Sequence, residues 1–138
     1  MQVDGACHCG LIQFTATVDP NKVVICHCTD CQKLSGSAFR VVVPSNAETF
    51  LLQGKPKHYV KVSESGAKRI QAFCPECGSP VFSTAQENAT QVYLRVGLLR
   101  QSHNLAPTLQ IWERSALPWV STVALVPACQ QQEAINPR

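Results

Sequence analysis

Apolar and polar residues alternate from Leu11 to Val18, with Ile12, Phe14, Ala16 and Val18 on one side and Gln13, Thr15 and Thr17 on the other. A period of two is that of a strand with one buried face. Ala38 to Val43 carries a β-branched run that Pro44 is expected to end. Further strands are expected at Thr49 to Gln53, His58 to Val62, Arg69 to Phe73, Pro80 to Ser83, Gln91 to Val96 and Thr108 to Trp112. Turn residues divide them: Gly54-Lys55-Pro56, Ser65-Gly66, Glu87-Asn88 and Pro107. Helix signals are few. Thr29 or Asp30 is expected to cap a short helix through Gln32, Lys33 and Leu34 that stops at Gly36. Ser45-Asn46-Ala47-Glu48 fits a capping box, yet strand-like residues follow so soon that only one turn is expected. The pattern is therefore mainly β, with one or two short helical turns.

The chain has 138 residues, the size of one domain, and 45% are hydrophobic. At 15%, its charged residues are too few and too mixed for a disordered chain. No apolar run approaches the roughly 20 residues of a membrane-spanning helix. The start, Met1-Gln2-Val3-Asp4-Gly5, lacks the basic and apolar regions of a signal peptide. A cytoplasmic location follows as the expectation, and there thiols stay reduced.

That compartment governs the eight cysteines. Seven fall into three clusters: Cys7-His8-Cys9-Gly10, Cys26-His27-Cys28-Thr29-Asp30-Cys31 and Cys74-Pro75-Glu76-Cys77-Gly78. Neighbours such as Cys7 and Cys9 are poor disulfide partners. A Cys-x-x-Cys knuckle presents two sulfurs on one side, and a following glycine lets N–H groups turn toward them. In an extended Cys-x-Cys both sulfurs also share a side. Zinc takes four such ligands when structural and three when catalytic, keeping one position for water or substrate. Seven sulfurs thus divide into one closed and one open site.

Spacing does not say which clusters pair. The simplest division closes a site from Cys7, Cys9, Cys74 and Cys77 and leaves Cys26, Cys28 and Cys31 open. His27 is an alternative fourth ligand to the triplet, although in an extended Cys-His-Cys it points away. His8 faces the same argument. His58 and His103 read as surface or loop residues, Cys129 as a free or buried thiol, and Trp112 and Trp119 as core or pocket-wall residues. Seven thiolates and two zinc ions would bring the net charge from +3 to near zero. That argues against a nucleic-acid partner.

These clusters, together with Ser35-Gly36-Ser37-Ala38-Phe39, Gly54, Phe73-Cys74-Pro75-Glu76-Cys77-Gly78-Ser79-Pro80 and Ile111-Trp112 to Pro118-Trp119, resemble the glutathione-dependent formaldehyde-activating enzyme family, which includes the centromere protein V-like proteins. The resemblance runs from about Gly5 to Trp119. It implies small twisted β-sheets arranged like a tent around the zinc sites, in a single zinc-binding domain over residues 1–127; the polar stretch after Pro127, with Gln130-Gln131-Gln132 and Pro137, is expected as a loosely held tail over 128–138. It implies the same division: a structural zinc on Cys7, Cys9, Cys74 and Cys77, and a catalytic zinc on Cys26, Cys28 and Cys31. The implied activity is that of a carbon–sulfur lyase, joining glutathione and formaldehyde into S-hydroxymethylglutathione. A small-molecule thiol and a small aldehyde are then the partners. Lys33, Ser35 and the Gly36 backbone N–H are candidates to bind substrate or stabilise its oxygen, and Lys33, Arg40 and Arg95 to meet the carboxylates of glutathione. A zinc-stabilised binding module without catalysis is the competing expectation.

Overall fold

In the computed structural model, which describes residues 1–132, ten strands form two sheets. Strands β1 (Gln2–Ala6), β2 (Gln13–Thr17) and β5 (Leu51–Gln53) make a small antiparallel sheet with β2 central. The larger sheet contains β3 (Val24–Cys26), β4 (Arg40–Asn46), β6 (Lys57–Val62), β7 (Lys68–Phe73), β8 (Pro80–Ala85), β9 (Gln91–Arg95) and β10 (Leu109–Ile111). Its order is β10-β3-β4-β9-β8-β7-β6, antiparallel except for the parallel β10·β3 edge. One α-helix, α1 (Thr29–Ser35), accompanies six 3₁₀ turns among the described residues. The mainly β reading is therefore what is found.

The alternation in β2 does what its period requires. Ile12, Phe14, Ala16 and Val18 are all buried while Gln13 and Thr15 are exposed. They pack on the facing side of the large sheet, where Val43, Leu94, Phe82 and Ala72 share one row by register. Phe50 bridges the two, with ring centroids 5.8 Å from Phe14 and 5.0 Å from Phe82.

The opposite face of the large sheet carries a polar row. Tyr59 pairs with Gln71, Gln71 with Ser83 and Ser83 with Tyr93; Arg95 pairs with Val42, and Arg40 with Cys26. Helix α1 lies over this row, with Leu34 facing it and Asp30 joined to Lys61 of β6 at 2.7 Å.

Three expectations need correction. Strand β4 continues through Pro44 to Asn46. Strand β3 pairs with it only as far as Val42, so Pro44 needs no donor on that side. The cap of α1 is neither Thr29 nor Asp30 but Cys28, whose sulfur accepts from the Cys31 N–H at 3.3 Å. Trp119 is exposed on the 3₁₀ segment Pro118–Leu125 rather than in the core. Residues 133–138 of the expected tail lie outside the described residues.

Candidate metal centres

The first centre is assembled from two turns. Cys7 and Cys9 are not extended, as their spacing had implied, but sit in a turn closed by a hydrogen bond from the Gly10 N–H to the Cys7 carbonyl. Cys74 to Gly78 forms a knuckle in which the Gly78 N–H donates to the Cys74 carbonyl at 2.9 Å. Gly10 and Gly78 both have positive φ, 81° and 76°. The sulfurs of Cys7, Cys9, Cys74 and Cys77 all lie within 4.8 Å of one another. A tetrahedral ion with metal–sulfur bonds of about 2.3 Å needs its sulfurs about 3.8 Å apart. Cys7–Cys9 and Cys9–Cys74 are each separated by 3.7 Å, so the four thiols fit such an ion. The Ile12 N–H donates to Cys7 Sγ at 3.2 Å, and Ser79 Oγ lies 3.2 Å from Cys77 Sγ. Such bonds orient ligand sulfurs. Ser79 stands in the motif quoted above, but the sequence had assigned it no role.

The second centre joins the end of β3 to α1. Cys26 ends the strand, Cys28 caps the helix, and Cys31 lies in its first turn. Their three sulfurs are mutually within 4.8 Å and form a cluster of three. His27 is not among them. Strand alternation turns it to the other side, where it is buried, its Nε2 is 2.7 Å from Gln110 Oε1, and its ring meets Phe39 edge-on. His8 and Cys129 are likewise outside both clusters, and Cys129 is an exposed thiol.

Within each cluster the thiols cannot all ionise together without a cation. Hydrogen bonding from Cys31, against the cost of burial, pulls the Cys26 thiol down to about 5, while the bond to Cys26 and burial push Cys31 far up. In the other centre the Ser79 hydroxyl and N–H lower Cys77 to about 5. The Leu11 N–H favours a Cys9 thiolate, but burial and the neighbouring thiols outweigh it and raise Cys9 to about 12. Burial opposes a Cys7 thiolate, yet the Ile12 N–H and neighbouring thiols lower it on balance. A bound metal takes the place of the shared protons.

One cavity is lined by a triplet cysteine, and a second lies under α1. One, of about 630 Å³, is lined by Cys28, Asp30, Lys61, Glu64, Trp112 and Arg114 among others. Trp112 has φ 57°, a costly conformation for a bulky side chain, and the Arg114 guanidinium stacks 5.0 Å from its ring centroid. Gln32 holds this wall, donating to the carbonyls of His27 and Ser115. The other, of about 380 Å³, lies under α1 and is lined by Leu34, Arg40, Tyr59, Gln71 and Arg95 among others. Burial, and then the neighbouring Arg40, lower the Arg95 guanidinium to about 9.

The expected substrate-binding residues are less well placed. Lys33 is exposed and lies about 200° round the helix from Cys31. Ser35 is exposed, and its Oγ accepts from the Ser37 N–H. The Gly36 N–H, expected as an oxyanion donor, is already bonded to the Gln32 carbonyl at 2.9 Å, because Gly36 is the left-handed cap of α1.

A family model described as glutathione-dependent formaldehyde-activating enzyme matches residues 2–115. Among solved structures, a crystal structure of a Rhodobacter sphaeroides protein from a structural genomics programme has the same fold, with a TM-score of 0.60 at 15% identity. The match covers 78% of this chain and 98% of that one. No curated protein matches significantly. No helix among the described residues is long and apolar enough to cross a membrane.

Proposed function

The chain belongs to the glutathione-dependent formaldehyde-activating enzyme family, and from that membership we propose that it is a zinc-dependent carbon–sulfur lyase-type enzyme joining a thiol to a small aldehyde, glutathione and formaldehyde in the family's namesake reaction. The observation that carries this reading is the unequal division of sulfur. Four thiols close one cluster, three form the other, and Cys28 of the three lies at the wall of a cavity. Cys7, Cys9, Cys74 and Cys77 then hold a structural zinc, and Cys26, Cys28 and Cys31 the catalytic one.

A zinc ion held by three thiolates supplies positive charge that favours the thiolate of an incoming thiol and polarises a carbonyl. In the reaction the substrate sulfur's electron pair forms a bond to the aldehyde carbon. The carbonyl π pair moves to oxygen, and the thiol proton ends on that oxygen as a hydroxyl. The chain's part is positioning. Cys26 is fixed by the β3·β4 ladder and Cys31 by the first turn of α1. Lys61 and Arg114 offer cations for the carboxylates of glutathione, and Glu64 an anion for its ammonium. Lys33 and Ser35 on the exposed side of α1 reach only a part of the substrate outside this cavity.

The test is adduct formation from ¹³C-formaldehyde and glutathione, followed by NMR against the uncatalysed rate. The zinc-loaded chain should accelerate it, and Cys28→Ser should remove the acceleration while the protein stays folded. Normal turnover by Cys28→Ser would take the triplet out of the chemistry and favour a binding module.

A further inference from the structure

Arg40 and Arg95 are only 7% and 6% exposed. Guanidiniums so deeply buried are rare unless an anion accompanies them. Among the described residues the ion pairs are Lys61–Asp30 and Arg100–Asp4, so neither buried arginine meets a carboxylate. Instead both donate to one neutral acceptor, Gln71 Oε1, Arg40 Nη1 at 3.1 Å and Arg95 Nη2 at 2.9 Å. Arg95 adds bonds to Ser83 Oγ and the Tyr93 carbonyl. The Nε of each arginine remains buried without a partner. Both line the 380 Å³ cavity under α1, and none of its lining residues is acidic.

We propose that this cavity binds the carboxylate of an acidic substrate through Arg40, Arg95 and Gln71, and that the substrate bears its acid group within a few bonds of the reacting atom. Two like charges share one neutral acceptor, an arrangement that an anion relieves. The triplet sulfurs stand nearby, with Cys26 directly across from Arg40 in the β3·β4 register. With a divalent ion bound, the three thiolates of the triplet retain one net negative charge against two guanidiniums, which leaves a place for one monoanion. A carboxylate supplies about four lone-pair sites and matches guanidinium geometry. The cavity's other walls, Leu34, Ala72, Phe73 and Pro80, suit a short carbon chain. Proximity fixes the length. Arg40 stands directly across from Cys26 in the β3·β4 register, where side chains begin about 5 Å apart. Which reactant carries the acid, the thiol or the aldehyde, rests on the function proposed above; the anion site itself rests on the two guanidiniums.

Calorimetric titration of the zinc-loaded full chain separates these. Mercaptoacetate is compared with 2-mercaptoethanol, and glyoxylate with glycolaldehyde. In at least one pair the acid should bind about tenfold tighter or more, the worth of one charge-assisted hydrogen bond, and that pair identifies the carrier. Arg95→Met should abolish the preference without weakening the uncharged ligand. Leu34→Glu, which supplies a carboxylate from the cavity's own wall, should abolish it too and raise the melting temperature of the ligand-free protein. Equal binding of acid and uncharged ligand in both pairs overturns the anion site, as does a preference that survives in Arg95→Met. Failure of both thiols to bind, with glyoxylate still preferred, overturns the thiol chemistry and leaves the anion site standing.

Discussion

Arg40 faces Cys26 directly across the β3·β4 ladder, and through space its charge favours the Cys26 thiolate. One cross-strand pair therefore joins the open sulfur cluster to the buried arginines. The sulfurs of the closed cluster are served by N–H groups and a serine hydroxyl. The difference matches a division of labour. One centre is built into the core through Cys74, which is fully buried, and the other borders a cavity through Cys28.

Removal of a core ligand should therefore cost stability, and removal of a triplet ligand should not. Cys74→Ser takes one of four ligands from a site packed among core residues and should lower stability by several kcal/mol. Cys28→Ser keeps an oxygen where the sulfur caps the Cys31 N–H, and serine is a good cap, so the change should be about 1 kcal/mol or less. Thermal melting with metal analysis decides it. The expectation fails if Cys28→Ser melts as low as Cys74→Ser.

Stripping the metal should make stability bell-shaped in pH. Cys26 and Cys77 have folded values near 5 against a usual 9.0. Between those values the unfolded chain binds more protons, so stability rises with pH and is lost as pH falls toward 5. Cys9, near 12, and Cys31, raised further, act oppositely. Above pH 9 the folded state holds the extra protons, and stability falls. Melting of the metal-free, reduced protein should peak close to pH 9. A monotonic profile from pH 5 to 11 would count against proton sharing within the clusters.

Much of this was legible in the chain. The strict alternation of Ile12 to Val18 fixed the buried face of β2, and Gly36 marked the end of α1. The local spacing of the cysteines marked the three clusters, but the pairing of Cys7 and Cys9 with Cys74 and Cys77 is made by the fold. Strands β1 and β3 were missed. β3 has only three residues and β1 contains Gly5, so neither gives a period long enough to read. The arginine–glutamine arrangement was invisible for another reason. Arg40, Gln71 and Arg95 sit on three different strands, and only the sheet order brings them together. Arg40 and Arg95 were named as possible carboxylate partners, but Gln71 had no signal at all.

His27 offers a clean check on ligand number. Its ring is buried and its Nε2 is bound to Gln110, with Nδ1 unpartnered. His27→Ala should cost about 1–3 kcal/mol, because it leaves a cavity at a fully buried position, while the exposed Gln110 amide turns to water. Metal content should be unchanged. Loss of one equivalent in a folded His27→Ala protein would make the histidine a ligand and close the triplet.

The turn that leaves β5 packs against the residues after the first cysteine cluster at Gly54, and the cost of replacing it can be divided into parts. Gly54 has φ +89°, and a Cβ there would lie 2.6 Å from the Leu11 carbonyl and 2.9 Å from Ile12 Cδ1. Ile12 is fully buried and its N–H bonds Cys7 Sγ, so it has little room to yield. Gly66 has a similar φ, +84°, but an added Cβ would meet nothing within 4 Å. Gly66→Ala should therefore register backbone strain alone, about 1 kcal/mol. Gly54→Ala should add the clash and cost about 3 kcal/mol or more. Urea denaturation of the two variants gives the difference. It should also appear as weaker metal retention in Gly54→Ala, since the strain falls on the residue that orients a ligand sulfur. Equal losses in the two proteins would show that the Leu11–Ile12 backbone moves aside freely and does not hold Cys7 in place.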